Sequence, residues 1–113
     1  MVRVYGIRNC DTMKKAFAWL ESHKVAYDFH DYKKAGVPPG KLKEWAAKVG
    51  WEKLVNSRGP TWRKIPDVEK RNLDETKALA LLKKNSSAIR RPVVEVRGGV
   101  LVGFDPGEYA RTF

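Results

Sequence analysis

The chain holds a single cysteine, Cys10, in a setting that can turn a thiol into a nucleophile. It follows the β-branched run Val2-Arg3-Val4-Tyr5-Gly6-Ile7 and precedes Met13, Ala16, Phe17 and Leu20, which recur at the spacing of one helix face. At a strand-to-helix junction, unpaired backbone amides and the positive end of the helix dipole favour the thiolate, which is the reactive species. Arg8, Lys14 and Lys15 add positive charge nearby in the sequence. Free cysteine is often a small buried apolar residue instead, but the junction position favours the reactive reading.

Other candidates carry less chemistry. His23 falls at the end of the first helix and His30 on the polar phase of the second strand. Both read as surface or capping residues, and no spacing suggests a metal site or a Cys-His dyad. Trp19 and Trp45 fall at or beside apolar helix faces, whereas Trp62 stands between Arg58 and Arg63 in a basic stretch and either shields a pocket or anchors its loop. Aromatics among cations can stack on nucleic acid, but no reading motif is visible, so nucleic acid is not the expected partner.

The elements that must position these residues follow from periodicity. Asp11 or Thr12 is the expected cap of the first helix. Residues 26–32 alternate as a half-buried strand, and Pro38, Pro39 and Gly40 then break the chain. Leu42, Trp45 and Val49 mark a helix closed by Gly50, followed by a short apolar piece at 51–55. Residues 56–66, with Gly59, Pro60 and Pro66, read as a basic loop. Asp74 caps a helix bearing Ala78, Leu79, Leu81 and Leu82, and Arg97-Gly98-Gly99 joins two β-branched runs as a hairpin. Asp105-Pro106-Gly107-Glu108 starts a terminal helix. This order predicts an α/β sandwich with a sheet part parallel and part antiparallel.

Composition bounds the rest. At 113 residues and 42% hydrophobic content, the chain is expected to form one domain over residues 1–113 and is too apolar for a disordered tail. One cysteine excludes an internal disulfide and a cysteine-rich zinc site. No apolar helical segment is long enough for a signal sequence or a membrane span, so a reducing cytoplasm is the default compartment and no membrane partner is expected. The 23 Lys and Arg against 13 Asp and Glu leave a charge of +10, which attracts some anion without naming it.

Three motifs in order resemble the arsenate reductase (ArsC) family. They are Gly6-Ile7-Arg8-Asn9-Cys10-Asp11-Thr12 with Lys14-Lys15-Ala16, then Asn56-Ser57-Arg58-Gly59-Pro60-Thr61-Trp62-Arg63-Lys64, and Ile89-Arg90-Arg91-Pro92-Val93-Val94. The nearest match is the YffB-like branch, related to the Spx regulators. The resemblance implies a thioredoxin-like fold, a mixed four-stranded sheet with an inserted helical region at about residues 38–85, and a cis bond before Pro92. It implies Cys10 as nucleophile, with Arg58 and Arg91 at the positions of oxyanion-stabilising arginines. Arg8, Asn9, Asp11, Thr12, Lys14, Arg63 and Pro92 complete the implied binding residues.

Departures from the pattern carry information too. Those reductases have a third arginine near the final strand, where this chain reads Val102-Gly103-Phe104-Asp105-Pro106, and a histidine where this chain has Gly6. Both differences weigh against arsenate as the substrate. The second cysteine of Spx-type regulators is replaced by Met13, which excludes their internal disulfide switch. A one-thiol chemistry remains, resolved by an external thiol. Glutathione, anionic at neutral pH, is the expected co-substrate rather than a tightly bound cofactor, and Cys10 would form a mixed disulfide with it or with a glutathionylated substrate. The rival expectation is a noncatalytic Spx-like module that binds polymerase or nucleic acid through its basic surface.

Overall fold

In the computed structural model, which describes residues 2–113, four short runs pair into one sheet: β1 (Val2–Gly6), β2 (Tyr27–Asp31), β3 (Val93–Val96) and β4 (Gly99–Val102), in the order β2-β1-β3-β4. β1 is parallel to β2 and antiparallel to β3, and β3 and β4 form the hairpin expected at Gly98, where φ is +81°. This is the mixed four-stranded sheet of a thioredoxin-like fold. The chain divides into two compact units, one made of the residues up to Ala35 with Arg91–Phe113, the other of Gly36–Arg90.

The sheet unit owes its core to strand alternation. Val4 and Val94 point to one face, where they pack with Met13, Ala16 and Leu20 of α1 (Asp11–Ser22) and Tyr109 of α7 (Pro106–Thr112). Each fully buried aliphatic side chain contributes about 1.5–3 kcal/mol. Asp105 holds the start of α7 by accepting the amides of Gly107 at 2.9 Å and Glu108 at 3.4 Å, as its place in the sequence predicts. The other face carries Tyr5, which pairs with Val93 on one side and His30 on the other. Tyr5 donates to Glu95 Oε1 at 2.9 Å and lies 5.4 Å from the His30 ring.

The helical unit contains α3 (Lys41–Val49), α4 (Trp51–Leu54), α5 (Pro60–Lys64) and α6 (Glu75–Lys84). α3 packs on α4 and α6, with Trp45, Leu54 and Leu82 fully buried. Gly50 closes α3 through its amide to the Ala46 carbonyl at 2.8 Å, and Asp74 caps α6 through the Lys77 amide at 2.9 Å.

Three local expectations require correction. Helix α1 starts one residue earlier than expected, with Cys10 itself as the N-cap rather than Asp11 or Thr12, because the Cys10 carbonyl takes the first helical bond from Lys14 at 3.0 Å. Strand β2 ends before Tyr32, because Asp31 accepts the Lys33 amide at 2.9 Å and turns the chain into the single-turn helix α2 (Tyr32–Ala35). Residues 56–66 are not all loop. Pro60 occupies the first turn of α5, where a missing amide costs nothing.

One packing detail ties the two departures at the N-terminal motif together. A Cβ placed on Gly6 would lie 2.6 Å from Met13 Sδ and 2.8 Å from its Cε, and Met13 is fully buried. The side chain that replaces a second cysteine therefore fills the space that a side chain at position 6 would need. We expect Gly6→Ala to cost about 1–3 kcal/mol in urea unfolding. Combined with Met13→Ala it should cost at least about 1 kcal/mol less than the sum of the single changes; strict additivity would refute the shared packing.

Candidate active site

Topology brings three chain segments to one end of the sheet. β1 ends at Gly6 opposite Asp31 of the parallel β2, and the antiparallel β3 begins there, with Val93 opposite Tyr5. The Cys10 loop, Tyr32 and the Arg91-Pro92 pair therefore all lie just beyond the last paired residues. The Arg91–Pro92 peptide bond is cis, as the motif implies.

Cys10 is half-buried at the N-terminus of α1, against the core. Burial pushes its thiol up. The Met13 amide, the Arg91 guanidinium by hydrogen bond and by charge, and the Thr12 amide pull it down further, so the net shift is below the ordinary thiol value. The two amides favour the anion although the neutral thiol makes no side-chain cap hydrogen bond. A thiol whose ionisation is favoured in this way is a better nucleophile than an ordinary one.

The remaining candidates divide by location. Pro92 is buried beside Arg91, which is itself partly exposed. Asn9, Asp11, Thr12 and Lys14 are exposed around the start of α1, and the Thr12 amide acts on the sulfur. The Arg8 guanidinium lies 5.1 Å from the centre of the Phe29 ring, a cation–π contact. Arg58 and Arg63 belong to the helical unit and are exposed there, Arg58 on the Asn56–Gly59 turn closed by the Gly59 amide on the Asn56 carbonyl at 3.1 Å. Trp62 anchors α5: it is buried, with Lys70 Nζ 5.7 Å from its ring centre and donating to its carbonyl at 3.2 Å.

Sequence reasoning missed Tyr32, Tyr5 and Glu95 on the second face of the sheet. The available signal was the phase of strand two, since Tyr32 follows His30 by two residues and shares its side. Among the described residues, no group of three or more His, Cys, Asp or Glu is placed to hold a metal ion, and no helix is long and apolar enough to cross a membrane.

Comparison with known proteins matches this architecture. The model of the ArsC family covers residues 5–112. A solved protein described as YffB is 49% identical, with a TM-score of 0.96 over 99% of this chain and 98% of its own. An arsenate reductase (ArsC) related protein from Brucella melitensis is 45% identical, with a TM-score of 0.77 over 97% of this chain and 92% of its own. An uncharacterised protein of Haemophilus influenzae is 42% identical over 100% of this chain and 99% of its length. The global transcriptional regulator Spx of Listeria innocua is 26% identical over 98% of this chain and 86% of its length.

The electrostatics predict a pH signature. Iodoacetamide modification of Cys10, followed against pH, should show its midpoint below that of a free thiol, about 8.5. Arg91→Met should move the midpoint upward, because it removes both the hydrogen bond and the charge that favour the anion, and should slow alkylation at pH 7. An unchanged midpoint would show that Arg91 does not act on the sulfur.

Proposed function

The chain belongs to the ArsC family, and from that premise we propose that it is a glutathione-dependent thiol oxidoreductase acting through one nucleophilic cysteine. The observation that carries the reading is Cys10, held toward the anionic form by the first-turn amides of α1 and by Arg91, with no second cysteine in the chain. The Cys10 thiolate attacks the glutathionyl sulfur of a mixed disulfide. A Cys10–glutathione bond forms, the original S–S bond breaks, and its electron pair leaves with the substrate sulfur as a thiolate that takes a proton from water. A glutathione thiolate then attacks the adduct, releasing glutathione disulfide and restoring the Cys10 thiolate.

Arg91 supports both steps, since a guanidinium pairs with anionic oxygens and favours an ionised neighbouring sulfur. Within the sheet unit, Arg8, Asn9, Asp11, Thr12, Lys14 and Pro92 are proposed as the wider set that receives the anionic thiol. Glutathione is a co-substrate here, and the reaction suits a reducing compartment such as the cytoplasm, where that thiol is abundant. Gly6 in place of histidine and the lack of a cation in residues 102–106 favour a disulfide over arsenate as the oxidised substrate.

A second reading comes from the Spx relatives, which are transcriptional regulators: a noncatalytic module that recognises a protein partner through its basic surface. Cys10→Ser separates the two. For the oxidoreductase, intact-mass spectrometry after incubation with glutathione disulfide should show a single glutathione adduct on the wild type and none on Cys10→Ser, with the fold retained. A wild type that gains no adduct would refute the enzyme reading.

A further inference from the structure

The helical unit holds a groove that the proposed reaction leaves unused. It has a volume of about 210 Å³ and lies between residues 37–40, the first turn of α3 and the second half of α6, so that its whole lining belongs to this unit. The sequence explains why it forms. Pro38 and Pro39 hold their own φ fixed and cannot extend a helix, and Gly40, at φ +79°, then turns the chain into α3. The two prolines therefore stand as a stiff wall. On α6, Ala78, Leu81 and Leu82 are buried in the core of the unit, whereas Leu79 is only half-buried and lines the groove together with Leu42.

The charge around this apolar lining has one sign. Lys43 directly follows Leu42, and Lys83 stands one turn after Leu79 on the same strip of α6. Both lysines are exposed, and neither makes an ion pair or a side-chain hydrogen bond with a described residue. No acidic residue lines the groove. The unit as a whole repeats the bias, since residues 36–90 hold 13 Lys and Arg against 6 Asp and Glu and so carry +7 of the chain's +10.

These features select the occupant. A second copy of the chain would bring the same excess of cations against Lys43 and Lys83 and be repelled. A free small molecule would stay largely in water, because the groove is open and smaller than the roughly 300–1,000 Å³ of ordinary ligand sites. A peptide suits both the size and the charge, since one bulky apolar side chain fills the groove and the flanking chain carries carboxylates to the two amines.

We propose that this groove is a docking site for an acidic segment of a partner protein, which inserts one bulky apolar side chain between Leu42, Leu79 and the proline wall and pairs its carboxylates with Lys43 and Lys83. The stiff wall keeps the ordering cost of binding low. Docking is noncovalent and makes no use of Cys10, so it stands apart from the thiol chemistry proposed above.

The test is calorimetric titration of the full chain with a short synthetic peptide that carries a leucine–phenylalanine pair between glutamates. Binding should saturate at one peptide per chain and weaken as salt is raised. Serines in place of the apolar pair should weaken it about ten-fold or more, as expected for losing a buried large side chain. Lys43→Glu combined with Lys83→Glu should weaken it at least about ten-fold without lowering the melting temperature. Lys48→Glu combined with Lys53→Glu makes the same change of net charge at exposed positions of the unit outside the groove, and should alter affinity less than about two-fold. Cys10→Ser should bind the peptide as the wild type does. Equal weakening by the two lysine pairs would reduce the binding to net charge and overturn the docking site. So would undiminished binding of the serine peptide, or no binding of the apolar one. Saturable binding of decanoate without binding of the peptide, or a concentration-dependent dimer that Leu79→Ser abolishes, would assign the groove to a small amphiphile or to a second copy and overturn it as well.

Discussion

A sulfur anion at the edge of a hydrophobic core is expensive, and the sheet unit is arranged around making it affordable. Half-burial of Cys10 works against ionisation, while the amides of Met13 and Thr12 and the guanidinium of Arg91 work for it and prevail. Only the first favourable contribution is local in origin. The amides point at the sulfur only because α1 begins at Cys10, and Arg91 reaches it only because β3 enters the sheet beside the strand that leads to the cysteine. The parallel pairing of β1 with β2 and the antiparallel pairing with β3 bring these segments to one end, where chain ends and loops are free to carry chemistry.

Met13 serves this arrangement twice. Its amide acts on the Cys10 sulfur, and its side chain fills the space above Gly6. The absence of a histidine at position 6 and of a second cysteine at position 13 is therefore one packing solution rather than two independent losses. A thioether cannot take part in disulfide exchange, so any disulfide that Cys10 forms must be to a sulfur of another molecule. The second face of the sheet complements this. It carries the polar groups Tyr5, His30 and Glu95, with the Tyr5 hydroxyl donating to Glu95.

Most elements could be read along the chain because their signals are short-range. The Asp74 and Asp105 caps, the Gly50 stop and the Gly98 turn each depend on backbone chemistry within a few residues, and each stands where expected. The misread positions were those where two local rules competed. Pro60 reads as a breaker in the middle of a loop but as a starter at the first helical position. Tyr32 continues an alternating strand by pattern, yet the Asp31 side chain captures the Lys33 amide and ends the strand one residue early. Arg8 is two residues from Cys10 in sequence, and its guanidinium settles on the Phe29 ring of the neighbouring strand.

The sequence by itself determined that the one cysteine stands at a strand-to-helix junction and how strands and helices alternate along the chain. These depend on residue identity and on spacings shorter than one element. Only the tertiary structure decided that Arg91 acts on the sulfur and that Tyr5, His30 and Glu95 gather on the sheet face opposite Val4. Those outcomes depend on strand register between residues far apart in the chain, where a shift of one position would turn each side chain to the opposite face.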